Sequence, residues 1–145
     1  MIALIQRVSS ASVHVGEQLC GQIGPGVLAL VAVTASDGRA QAERLVQRVL
    51  DYRVFEDDTG RMNRSLRDTH GGLLLVPQFT LAADTRSGTR AGFSGAAAPD
   101  KALQLFELAL DIARRSHTPV AAGQFGAHMR VALVNDGPVT FWLET

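Results

Sequence analysis

Val27-Leu28-Ala29-Leu30-Val31-Ala32-Val33 is an unbroken apolar run set off by the turn residues Gly24-Pro25-Gly26. A half-solvated strand would alternate polar and apolar residues. A run this short and β-branched instead reads as a strand buried on both faces. Leu73-Leu74-Leu75-Val76-Pro77-Gln78-Phe79 repeats the pattern after Gly71-Gly72. Two doubly buried strands need a packed layer on each side, which excludes a lone solvated sheet and a pure helical bundle.

The cover comes from two amphipathic segments. Over about 38–53, Ala42, Leu45, Val46, Val49 and Leu50 recur at helical spacing, with Arg44, Gln47, Arg48 and Asp51 on the other side. Over about 99–117, Leu103, Phe106, Leu110 and Ala113 form a stripe widened by Leu105, Ala109 and Ile112. Pro99 and Asp100 suit the start of that helix, Arg114, Arg115 and His117 suit its end, and Pro119 stops it. Alternation over residues 1–15, the turn at Gly16-Glu17 and the hairpin-type turn Asp57-Asp58-Thr59-Gly60 mark further β-structure. Two last strands are expected, from His128 to Val134 and from Val139 to Leu143, joined by a turn at Asn135-Asp136-Gly137-Pro138. Residues 82–98, rich in Ala, Gly, Ser and Thr, read as a surface loop carrying Arg86 and Arg90. The expected fold is α+β: a compact, barrel-like curved sheet covered by two amphipathic helices, as one domain over 1–145.

Charge narrows the function classes. The 14 basic residues balance 14 acidic ones, so a histone-like coat on nucleic acid and a basic membrane-surface helix are disfavoured, while a small local nucleic-acid site is not. The one cysteine, Cys20, leaves no internal disulfide or cysteine-based zinc cluster. No stretch approaches a membrane span or a signal peptide, so the expected location is cytoplasmic, with no membrane partner. The four histidines, at 14, 70, 117 and 128, show no metal-ligand spacing, and no P-loop, GxSxG elbow or GxGxxG follows a strand. No metal and no cofactor are expected.

Two stretches carry polar groups in unusual settings. In Val76-Pro77-Gln78-Phe79-Thr80-Leu81, proline cannot donate to a sheet ladder and so marks an edge or an exit. Continued as a strand, this stretch places the Gln78 amide and the Thr80 hydroxyl on one side. By pattern alone the favoured reading is a strand end with two solvated polar residues. Asn135-Asp136-Gly137-Pro138-Val139-Thr140 is an ordinary tight turn by composition, although Gly-Pro can also adopt a cis peptide and fix two carbonyl oxygens in one direction.

Together with Met1-Ile2-Ala3-Leu4-Ile5-Gln6-Arg7-Val8, Arg61-Met62-Asn63, Gln78-Phe79-Thr80-Leu81-Ala82-Ala83-Asp84-Thr85 and Val131 to Glu144, these blocks resemble the D-aminoacyl-tRNA deacylases of the bacterial and eukaryotic type, also known as D-tyrosyl-tRNA(Tyr) deacylases. The resemblance spans the whole chain. It implies hydrolysis of the ester in D-aminoacyl-tRNA and mischarged glycyl-tRNA, and a homodimer with active sites at the subunit interface. Gly137-Pro138 would enter the partner's pocket, receive the substrate ammonium on carbonyl oxygens and exclude an L side chain. Gln78, Phe79 and Thr80 would line the scissile bond, with backbone N–H groups stabilising an oxyanion. The ribose 2′-hydroxyl of the terminal adenosine would help activate water, with Thr80 orienting the ester. Phe125 and Met129 would lie near the adenosine and amino-acid pocket, and Arg7, Arg86 and Arg90 are phosphate candidates.

The chain departs from that family at Pro77, where Ser is usual, and at Ala91-Gly92-Phe93, where Pro-Ser-Phe is usual. Pro77 removes a hydroxyl and an N–H, so the expectation is reduced activity or altered substrate preference. Two other readings stay open. One is an inactive binder of the tRNA 3′ end, which Pro77→Ser would convert to turnover. The other is a small-molecule esterase indifferent to RNA.

Overall fold

The computed structural model describes residues 1–145. β1 (Ile2–Val15) is long enough to serve three neighbours. Its first half pairs antiparallel with β3 (Gly26–Ala32), its second half with β2 (Gln18–Ile23), and its other edge runs along β8 (Arg130–Glu144). β3 continues into a parallel ladder with β6 (Gly72–Pro77), and β6 pairs parallel with the short β7 (Val120–Ala122). The sheet order is β2-β1-β3-β6-β7, with β8 added on β1. The sheet curls until β2 lies over β7: a Cβ placed on Gly21 would stand 2.9 Å from the Ala122 carbonyl oxygen. Only glycine lets the two backbones come that close. β4 (Phe55–Glu56) and β5 (Met62–Arg64) form a separate small hairpin.

The alternation of the two central strands sorts the core. Val27, Ala29, Val31, Leu73 and Leu75 face α1 (Arg39–Asp51) and α3 (Pro99–Ser116), which supply Leu45, Val46, Val49, Leu50, Leu105, Phe106 and Ala109 to one cluster. Leu28, Leu74 and Val76 point the other way and join Val8, Ala11, Val13 and Ile23 inside the curl. Both apolar runs are thus buried on both faces, and the fold is α+β with a nearly closed, barrel-like sheet, as the residues imply. The two expected helices differ from α1 and α3 by at most two residues at their ends.

Three expectations need correction. A third helix, α2 (Leu66–Thr69), is present, short enough to leave no periodic signal. It is capped by Ser65, whose N–H and hydroxyl both donate to Asp68 Oδ2 at 2.7 Å and hold that carboxyl below its usual pKa. β7 has only three residues and was likewise unreadable from pattern. The third correction is that 128–134 and 139–143 are not a hairpin. β8 is one strand that stays beside β1 throughout, and Asn135–Pro138 does not reverse the chain.

Candidate active site

β6 carries the chain to a cavity. Its pairing with β7 ends at Leu75, while that with β3 extends to Val31 and Pro77, so the absent Pro77 N–H falls where no β7 partner remains. Gln78 N–H donates to the Val31 carbonyl at 2.7 Å, and Phe79–Ala82 then forms a 3-10 turn, with Leu81 N–H on Gln78 O and Ala83 N–H on Thr80 O. The expected strand over 78–81 is therefore a turn, because the sheet offers no further neighbour to pair with. The amide and the hydroxyl meet all the same: Gln78 Nε2 donates to Thr80 Oγ1 at 2.5 Å. As at any helical start, the first N–H groups, those of Phe79 and Thr80, have no backbone acceptor.

Beside this turn lies a cavity of about 460 Å³, within the range of small-ligand sites. Pro77, Gln78 and Phe79 form one wall, Pro99 and Ala102 from the start of α3 another, and Phe125, His128 and Met129 a third. Phe79 is 61% exposed, and its ring stands 5.2 Å from that of Phe93. Phe125 belongs to both cavity and core, with its ring 6.3 Å from Phe106. No carboxylate, serine or cysteine lines the cavity. Nothing local in the sequence marks His128, Pro99 or Ala102 as residues of the site. Only the chain path brings that isolated histidine and the first turn of α3 to the same wall. A larger groove of about 530 Å³ between β1, β2 and β8 is lined by Ser10, Ser12, Gln22 and apolar neighbours, with no titratable group for chemistry.

Gly137 and Pro138 do not line this cavity. In the β1–β8 ladder, Gln6 faces Thr140 and Val8 faces Asn135, so residues 136–139 bulge from β8 opposite the single residue Arg7. The Gly137–Pro138 peptide is cis, and Gly137 has φ +136°, a region L side chains rarely adopt. Two side chains staple the bulge. Arg7, with a side chain only 11% exposed, donates to the Asp136 carbonyl at 3.0 Å and to the Val54 carbonyl at 2.8 Å, and lies 3.5 Å from the Asp136 carboxylate. Asn135 accepts from Val139 N–H at 3.2 Å and donates to Thr140 Oγ1 at 2.9 Å.

Arg7 is thus engaged by the bulge and, like Gly137 and Pro138, does not line this cavity. Arg86 is held by Asp84 through two hydrogen bonds of 2.9 and 2.6 Å, which depress the Asp84 carboxyl and raise the guanidinium pKa. Arg90 stands exposed in the loop.

The family model described as D-Tyr-tRNA(Tyr) deacylase matches residues 4–144. The chain belongs to this family. A relative named D-aminoacyl-tRNA deacylase from Thioalkalivibrio sulfidiphilus (strain HL-EbGR7) is 63% identical over 144 residues, covering 99% of this chain and 97% of that one. Another of the same name, from Stenotrophomonas maltophilia (strain R551-3), is 60% identical and covers 99% of both. Among solved structures, the c-Myc DNA Unwinding Element Binding Protein superposes with a TM-score of 0.94 at 36% identity, over 100% of this chain and 99% of its own. A structure described as a "probable eukaryotic D-amino acid tRNA deacylase" gives 0.88 at 16% identity, covering 99% of this chain and 98% of its own, a likeness of fold. Members of this deacylase family are hydrolases by name. No helix of the chain is long and apolar enough to cross a membrane.

Proposed function

We propose that this chain hydrolyses the ester of D-aminoacyl-tRNA in the cavity beside the 78–82 turn. The observation that carries the reading is the turn itself: its Phe79 and Thr80 N–H groups have no backbone acceptor, and it sets Gln78 and Phe79, though not Thr80, on the wall of a cavity lacking an acidic or serine nucleophile. Such a site suits an activated ester, whose developing oxyanion needs donors more than an added nucleophile. The 2′-hydroxyl of the terminal adenosine supplies the positioned group that the protein lacks, which restricts the reaction to RNA. Thr80, tied to Gln78, orients the ester, Phe125 and Met129 pack against the adenosine or amino acid, and Pro77 shapes the entry.

Chirality is read by Gly137 and Pro138. They lie outside their own cavity, so in this reading the bulge enters the cavity of a second copy and each site of a homodimer is built from both chains. Its carbonyl oxygens take the substrate ammonium and leave no room for an L side chain, while glycine passes. Residues 1–145 act as one domain, in the cytoplasm, without metal or cofactor.

The test is deacylation of D-Tyr-tRNA against L-Tyr-tRNA. Hydrolysis of the D form at least about 100-fold faster, a difference of about 2.7 kcal/mol in barrier, is the expected outcome. Equal rates would sink the chirality assignment, and cleavage of simple esters without RNA would favour a general esterase.

A further inference from the structure

At the far end of α3 lies a third concavity, of about 430 Å³, lined by Arg67, His70, Arg114, Arg115 and His117, with only hydroxyl residues besides. No apolar and no acidic side chain lines it. In a chain whose formal charge sums to zero, three arginines and two of four histidines converge on one hollow. Helix-dipole compensation accounts for the basic residues of α3 itself. It does not account for Arg67 and His70, which arrive from α2 and its C-terminal cap.

The hollow is a built one. Arg67 Nε donates to Asp51 Oδ1 at 2.6 Å and its Nη1 to the Ser116 carbonyl at 3.4 Å, fixing the guanidinium at the rim. The His117 ring is hydrogen-bonded with the Gly71 carbonyl at 2.7 Å. Arg115 pairs with Asp111, whereas Arg114 has no carboxylate partner. Three guanidiniums against two carboxylates leave an uncompensated cation in a polar pocket. Arginine forks in that setting match phosphate oxygens. The absence of apolar side chains disfavours a protein partner, whose interface would need an apolar centre.

We propose that this concavity binds phosphodiester groups of the substrate's RNA stem. The proposal rests on the tRNA reading above, and α3 supplies the ruler. Ala102 lines the catalytic cavity and Arg114 the basic one. Twelve residues at about 1.5 Å each separate them by about 18 Å. At about 3.4 Å of advance per phosphate on a stacked strand, that is about five nucleotides. The distance reaches past the unpaired 3′ end onto the first pairs of the stem. The contact is to backbone, so it serves tRNAs of any sequence.

Arg114→Gln tests this with little risk to folding, since Arg114 makes no ion pair and a neutral side chain sets no negative charge against the helix C-terminus. Binding of uncharged tRNA, followed by fluorescence anisotropy across a potassium chloride series, should weaken about 5- to 20-fold. The slope of log affinity against log salt should fall by about 1. With D-Tyr-tRNA, KM should rise by a similar factor at unchanged kcat, while kinetics on D-tyrosyl-adenosine, which has no stem, stay unaltered. Unchanged tRNA affinity and salt slope, or no tRNA binding by the wild type, overturn the proposal. So does an equal loss on D-tyrosyl-adenosine. Millimolar inorganic phosphate that saturates the hollow without displacing tRNA would mark a free-anion site and also overturn it. The binding arm needs no turnover: Arg114-dependent tRNA binding without deacylation keeps the docking site and sinks the catalytic reading instead.

Discussion

Arg7 is the residue on which the geometry of the bulge depends most. One guanidinium satisfies the Asp136 and Val54 carbonyls, and so ties residues 136–139 to the body of the fold. Replacing it with Ala removes hydrogen bonds from a charged donor, each worth about 1.5–3 kcal/mol. It also leaves space that a Cβ at Gly137 would share with Arg7 Nη2, 3.2 Å away. Arg7→Ala should therefore lower kcat/KM on D-Tyr-tRNA at least about 10-fold and narrow the D-over-L ratio. Parallel D and L assays check this, and a variant that loses rate but keeps full discrimination would place Arg7 outside the selection of chirality. Pro77 is a smaller matter structurally: it lies beyond Leu75, where the pairing of β6 with β7 has already ended.

At the scale of elements, legibility followed periodicity. α1 and α3 are readable because each repeats an apolar stripe over several turns, and the two apolar strands because each is an unbroken apolar run set off by turn residues. α2 and β7, of four and three residues, repeat nothing. The 78–81 stretch alternates like a strand, yet it folds as a turn because pairing depends on a neighbour that the local sequence does not encode. Asn135–Pro138 has the composition of a hairpin, but β1 keeps β8 straight on both sides of it. Of the site, Gln78, Phe79, Phe125 and Met129 do meet in one cavity, while His128 had no local signal. Some small elements depend on one side chain. Asp57 closes the β4–β5 hairpin by accepting from Thr59 N–H, Thr59 Oγ1, Arg61 N–H and Asn63 Nδ2. Hydrogen bonds from Thr59, then Asn63, hold its carboxyl far below the usual aspartate range. A depressed pKa stabilises the folded hairpin above the unfolded aspartate value, and this support is lost as pH falls toward the folded one. Amide exchange at Arg61, corrected for intrinsic rate, should show protection that is constant near neutrality and declines in strong acid. In Asp57→Ala that acid-dependent step should vanish.

For the whole molecule, exposed apolar side chains need cover. Phe79, Val134 and Trp142 are 61%, 57% and 47% exposed. Scattered singly they would be unremarkable, but Trp142 and Val134 share β8 with the bulge, and Phe79 stands at the cavity. In the homodimeric reading these are the surfaces that meet. Sedimentation equilibrium should give twice the 15.5 kDa chain mass, and activity per chain should fall on dilution along the same curve as the dimer. A monomer that deacylates at full rate would overturn the two-chain site.

The four-residue bulge sits inside a continuous strand, pinned before and after by rungs to β1 and across its neck by Asn135 and Arg7. A selector carried on a free loop would lose its conformational entropy afresh with every substrate. One clamped into a sheet loses it once, when the chain folds. In the editing reading, accuracy then belongs to the resting shape of the protein, and substrate rejection needs no motion that could lag behind a fast encounter.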